Sequence, residues 1–194
     1  MSGSPFLFGK LPTHGDFVSR GLEPGTERVW DDWASAEMEA ARERLDEGFE
    51  AAHDASPPWG FVSGPGPLGE GWRWGAIAAS IDSAGRRFLI VAGQDGLDQA
   101  QAAFAGLTGA LAAEGAIRRI LVDGLDADAA LAVIAEPAAS PEALAAAAAL
   151  NATAAEGVWW AFGDIVPPVA SNTPVAGFVA GALDRVAVLL KEAA

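Results

Sequence analysis

The sequence predicts an α/β fold, a single layered domain spanning 1–194 with a mostly antiparallel central sheet flanked by helices. Three observations predict it. Short apolar runs, rich in tryptophan and β-branched residues, are grouped between Trp59 and Ala92. Stretches with helical spacing lie before and after that group. No internal repeat and no linker-like segment divides the chain, so the elements share one core.

Taken in order, residues 5–12 read as a first strand or extended arm. Thr26 to His53 reads as the strongest helix, with Glu27, Asp31 and Asp32 near its start, where the helix dipole favours acids. Val29, Trp33, Ala36 and Ala40 supply its apolar face, and Pro57-Pro58 closes the segment. Trp59–Ser63, Trp72–Ile81 and Arg87–Ala92 read as strands, the last two joined by Asp82-Ser83-Ala84-Gly85 as a hairpin. Leu97 to Glu114 is helical in pattern, with Gly115 as a stop, and Ile117–Val122 has the look of a buried strand. Asp126–Glu136 is predicted helical. Ser140-Pro141-Glu142 forms a helix start that runs on through Leu144–Leu150. Gly157–Phe162 is a last strand and Gly177–Lys191 a terminal helix.

With 194 residues and 51% hydrophobic content, the chain can bury roughly 70% of its unfolded surface and needs no covalent staples. It has no cysteine, which excludes disulfides, thiolate metal sites and cysteine nucleophiles, and which suits a reducing cytoplasm. The N-terminus lacks the basic start and long apolar run of a signal peptide, and no segment is apolar enough for a membrane span. Twenty-six acidic residues against 12 basic ones give a formal charge of −14, which repels phosphate backbones and argues against nucleic-acid binding. Solubility accounts for much of that charge; attraction to a basic partner patch is the functional reading beside it.

Residues 8–22 are the most informative stretch. Gly9 and Gly15 permit unusual backbone angles, while Pro12 fixes its own φ and restrains Leu11. Asp16 and Arg20 are four apart, so a helical turn there would pair them. A second informative segment is Ser80–Phe88. On a strand Ser80 and Asp82 face one side, Gly85 allows a tight turn, and Arg86 offers a fork that suits either Asp82 or Asp16. Paired charges of this kind are commonly architectural.

Other chemistries find weaker footing. Gly64, Gly66 and Gly69 satisfy a dinucleotide-like spacing, yet Pro65 and Pro67 fill the spacers and a strand follows, so no cofactor is expected. His14 and His53, the only histidines, lack a metal-ligand pattern around them. A hydrolase would have to use Ser80, His14 and Asp82, but no nucleophile elbow surrounds Ser80.

Three ordered blocks resemble the TagF family, accessory proteins of bacterial type VI secretion. The first is Gly9, Lys10, Leu11, Pro12, then Gly15, Asp16, Phe17, Val18 and Arg20, followed by Trp30, Asp31 and Trp33. The second is Trp59 with Ser80, Asp82, Gly85, Arg86 and Phe88, where Leu89 replaces a proline common in the family. The third is Val158-Trp159-Trp160 before Gly163; on chemistry alone such a pair is an ordinary core or rim aromatic cluster. The resemblance spans nearly the whole chain, although residues 100–155 carry no motif.

The resemblance implies a cytoplasmic regulator rather than a catalyst, one that represses secretion after translation through the system's forkhead-associated scaffold protein. Some relatives carry a fused serine/threonine phosphatase domain; this chain stops at Ala194, so any phosphatase is expected to be a separate protein. Lys10, Pro12, Gly15, Asp16, Phe17, Arg20, Trp30, Ser80, Asp82, Gly85, Arg86, Trp159 and Trp160 are the motif residues expected either to touch that partner or to hold the platform together. A hydrolase built on His14, Ser80 and Asp82, or a structural subunit of the secretion apparatus, are the alternatives.

Overall fold

The computed structural model describes residues 3–66, 68–97, 99–135, 157–161, 169–170 and 177–193. Its centre is a sheet. Strands β1 (Ser4–Gly9), β2 (Val18–Arg20), β3 (Trp59–Ser63), β4 (Trp72–Ile81), β5 (Arg87–Leu97), β6 (Gly157–Ala161) and β7 (Val169–Ala170) lie in the order β2-β1-β5-β4-β3-β6-β7. Every neighbouring pair is antiparallel.

Side chains alternate along each strand, so one strand feeds two cores. Phe6 and Phe8 of β1 join Leu89 and Val91 of β5 on one face; Leu7 joins Ile90 and Ala92 on the other. Helices α1 (Pro24–Leu45), α2 (Phe49–Asp54) and α5 (Phe178–Glu192) cover the first face. Helices α3 (Gln99–Asp123) and α4 (Ala127–Ile134) cover the second. The result is helix, sheet, helix in three layers, the α/β arrangement expected from the grouped strands.

Three expectations need correction. The first helix is broken: Asp46 adopts a φ of 45° and ends α1, and a short 3₁₀ turn, Asp46–Gly48, leads into α2. Its buried stripe is Trp30, Ala34, Met38 and Ala41, with Val29, Trp33 and Ala40 at the margin and Ala36 exposed. The expected face is therefore rotated by about one residue. Ile117–Val122 is not a strand, because α3 runs through Gly115 to Asp123. Ala113, Ala116, Ile117 and Ile120 recur at helical spacing and press on the second face of the sheet, and that packing outweighs the β-preference of a short apolar run. Lastly, there is no helical turn to bring Asp16 and Arg20 together, since residues 18–20 form β2 and pair back onto β1. The predicted helix at Ser140–Leu150 lies outside the described residues, as does Phe162 at the end of the predicted last strand.

Trp30 and Trp159 are fully buried. Trp30 lies 5.9 Å from Phe6 and 5.6 Å from both Trp33 and Phe61, and Trp159 stacks on Phe61 at 5.1 Å. Both belong to the first-face core, while Trp160 pairs through its backbone with Gly60 and its side chain is outside the described residues.

The same core contains a charge that sequence reasoning did not single out. Glu37, on the buried stripe of α1, accepts hydrogen bonds from the backbone N–H of Gly177 (2.6 Å) and Val179 (2.9 Å) at the start of α5. A helix N-terminus has unpaired amides and a positive dipole end, and a carboxylate satisfies both. Burial pushes the Glu37 pKa up, against the lowering effect of those amides. Glu37→Ala should therefore destabilise the fold by about 1–3 kcal/mol in urea denaturation, through orphaned amides at α5. A loss no greater than that of exposed Glu43→Ala would contradict the capping role.

Candidate functional site

Two tight turns meet at one end of the interior strands β1, β4 and β5. The first follows β1. His14 N–H donates to the Leu11 carbonyl at 3.0 Å, closing a four-residue turn with Pro12 at its second position, where a fixed φ is favoured. Gly9, just before it, has a φ of 125°, and a Cβ there would sit 2.2 Å from the Leu89 carbonyl oxygen. Only glycine permits that approach. Gly15 is different: its φ is not positive, and a Cβ would meet only Ser83 Oγ at 3.4 Å.

The second turn joins β4 to β5. Gly85 N–H donates to the Asp82 carbonyl at 2.9 Å, with Gly85 at a left-handed φ of 81°. Asp82 Oδ1 accepts the N–H of Ala84 (3.0 Å) and of Arg86 (2.9 Å), so the carboxylate builds its own turn.

The other oxygen of Asp82 joins the two turns. Oδ2 accepts from Lys10 Nζ and from Arg86 Nε, each at 2.7 Å, while the Asp82 side chain is 0% exposed. The Arg86 guanidinium also donates to the Gly15 carbonyl. Ser80 Oγ donates to the Lys10 carbonyl at 2.6 Å, and Ser83 N–H donates to the His14 carbonyl at 3.0 Å. Lys10, Gly15, Ser80, Asp82, Gly85 and Arg86, picked from two distant sequence blocks, thus form one network. The Lys10 hydrogen bond above all, helped by the Arg86 and Ala84 donors and opposed by burial, holds the Asp82 carboxyl far below the ordinary aspartate value of 3.8.

Phe17 tops this network. Its ring contacts Phe8 (centroids 5.3 Å) and Phe88 (4.9 Å, edge-on), and Lys10 Nζ lies 5.9 Å from the ring centroid. Asp16 is exposed and stands apart from the network. The expected Asp16–Arg20 pair does not form, because residues 18–20 are strand and Arg20 Nε donates instead to Asp128 Oδ1 at 3.1 Å.

The residues of the hydrolase alternative are otherwise engaged. Ser80 is buried on the Lys10 carbonyl, and the His14 ring lies against Thr13 Oγ1 at 2.9 Å. The glycine-spaced loop forms a Gly66–Gly69 bridge and enters β4, with no helix opening there. Among the described residues no group of three or more His, Asp or Glu could hold a metal ion.

A second charged cluster lies behind the site. His53 is buried, and its Nε2–H donates to the Phe88 carbonyl at 2.8 Å, while Nδ1 is 3.1 Å from Asp54 Oδ1. Arg87 clamps Asp54 through Nε (2.9 Å) and a terminal nitrogen (2.8 Å) and also reaches Glu50 at 3.0 Å. The Arg87 hydrogen bonds lower the Asp54 pKa to about 2. Arg73, also buried, pairs with Asp95 at 2.8 Å and donates to the Leu68 carbonyl, pinning the glycine-rich loop. Sequence reasoning missed Glu37 and Arg73, and weighed His53 only as a metal ligand; a lone charge on an otherwise apolar stripe, as at Glu37 and Arg73, is the signal that finds such residues.

An antiparallel sheet between two helical layers, with a carboxylate-centred double turn at one end of its central strands, defines a three-layered α/β domain. Residues 7–140 match the family described as TagF N-terminal domain, type VI secretion system-associated. The chain belongs to that family. It is similar to the crystal structure of PA0076 from Pseudomonas aeruginosa PAO1, determined at 2.05 Å resolution, with 26% identity and a TM-score of 0.72 over 93% of this chain and 94% of that one. No curated protein matches it. No helix among the described residues is long and apolar enough to cross a membrane.

The shift at Asp82 carries a pH dependence. Its folded pKa lies below the unfolded value, so its contribution to stability is present above about pH 4 and is lost as pH falls towards the folded pKa; Asp54 acts with the same sign. Asp82→Asn should lower stability at neutral pH and flatten, though not abolish, the loss seen between about pH 4 and about pH 2. Denaturation midpoints across that range check this. An unchanged slope in the variant would mean that Asp82 is not a linked group.

Proposed function

We propose that this protein is a cytoplasmic, non-catalytic repressor of a type VI secretion system that acts after translation by binding the system's forkhead-associated scaffold protein. The observation that carries the reading is the family match over residues 7–140, which contains both turns of the Asp82 network. The network supports a platform role. Its charged groups are consumed by one another, as expected of residues that hold a surface in shape rather than turn over a substrate. Occupation of the scaffold protein would block assembly or activation of the secretion machine. Charge complementarity would govern encounter and selectivity, and the net charge of −14 gives the domain a long-range field to do so.

Size-exclusion co-elution with the forkhead-associated protein of the same secretion cluster tests this reading. A complex that weakens as salt is raised is expected. Failure to co-elute at low salt, with both proteins folded, would contradict it and favour a different partner or the hydrolase alternative. Arg86→Ala separates platform from contact. It should lower the melting temperature, with binding reduced only as far as unfolding explains; weaker binding at unchanged stability would instead place Arg86 at the interface.

A further inference from the structure

Phe17 forms a ridge whose two flanks differ in charge. It is 42% exposed and is the only aromatic among the large exposed apolar residues described. On the network side, the basic groups are all engaged: Lys10 and Arg86 on Asp82, Arg87 on Asp54 and Glu50, and Arg42 on the Arg87 carbonyl. On the other side a groove of about 470 Å³ opens between Phe8, Phe17 and the start of α1, where Pro24, Glu27, Arg28 and Asp31 line it. None of the three charged side chains in this groove has a hydrogen-bond or ion-pair partner.

Those three charges are not equivalent. Glu27 stands in the first turn of α1, where a carboxylate answers the positive end of the helix dipole. Asp31 is exposed and lies a turn further along, past the reach of that dipole, and the fold gives it no counter-charge. Between residues 16 and 32 the unpaired acids are Asp16, Glu23, Glu27, Asp31 and Asp32, and Arg28 is the one unpaired base. Beside this negative field sits a ring already fixed by Phe8 and Phe88. A side chain ordered in advance gives up little conformational freedom on binding, and aromatic residues are enriched at the centres of interfaces.

We propose that this groove seats the protein partner, and that its occupant is a basic segment carrying an arginine whose stem lies along Phe17 and Pro24 while its guanidinium meets Asp31. The inference rests on the partner reading above and deepens it, since it gives the partner's contact a place and a charge. Arginine suits the groove on both counts. Its methylenes cover apolar surface, and its planar fork matches a carboxylate that the fold leaves free.

Charge changes at matched positions test the groove. Binding to the forkhead-associated protein is measured for the wild type, Asp31→Lys, Phe17→Ala, Arg28→Ala and, further along the exposed face of α1, Glu43→Lys, with melting temperatures taken in parallel. Asp31→Lys and Phe17→Ala should each weaken binding by about tenfold or more, and Glu43→Lys by about threefold or less. Arg28→Ala should bind as well as the wild type or more tightly, because it removes the one base facing a basic occupant. If Phe17→Ala proves unstable, Asp31→Lys carries the test. Equal losses in Asp31→Lys and Glu43→Lys would assign the effect to the general acidic field and overturn the groove. Wild-type affinity in Asp31→Lys, or a tenfold loss in Arg28→Ala, would overturn it too, with the partner left in place. No binding by the wild type would overturn the partner reading and, with it, the groove as that partner's seat.

Discussion

The carboxylate of Asp82 is the constraint on which the site depends. A buried ion must be compensated by close charges and hydrogen bonds or it will not stay ionised. Asp82 finds four donors: Lys10 Nζ and Arg86 Nε on one oxygen, and the amides of Ala84 and Arg86 on the other. Three of these donors come from its own turn, while Lys10 comes from a segment 72 residues earlier. Satisfying one oxygen therefore shapes the β4–β5 hairpin, and satisfying the other anchors the loop after β1.

What that anchor positions is Phe17. The loop from Lys10 to Phe17 has no regular structure of its own, and it is tied down by Lys10, by the Gly15 carbonyl on Arg86 and by the His14 carbonyl on Ser83. With those ties in place, Phe17 is pressed on Phe8 and Phe88 and keeps part of its ring in solvent. Local charge pairing thus holds an aromatic rim in place above a buried polar hub. The first-face core, built around Trp30, Phe61 and Trp159, supplies the rigid base.

Much of this was legible in the residues, for physical reasons. The β3 and β4 boundaries emerge at Trp59, Ser63, Trp72 and Ile81 because Pro and Gly punctuate an apolar pattern on either side. The Asp82–Gly85 turn is legible because Asp and Gly each have a definite task in it, and Arg86 was open to either Asp82 or Asp16 until the turn selected Asp82. What resisted reading was long-range. Ile117–Val122 is short and apolar, and its helical state is set by the sheet beneath it. Glu37 reaches α5 across 140 residues, a separation that no local pattern encodes. Arg20 bonds Asp128 rather than Asp16 because β2 pairs with β1, which the four-residue spacing alone cannot reveal.

The most direct test of the anchoring account is a double-mutant cycle on Lys10→Met and Asp82→Asn, followed by denaturation and by hydrogen exchange of residues 10–17. If Asp82 docks the loop through Lys10, each single change should destabilise, and the double variant should lose clearly less than the sum, since no uncompensated charge is left buried. Both singles should also speed exchange across the loop. Additive losses with unchanged exchange in residues 10–17 would contradict the account.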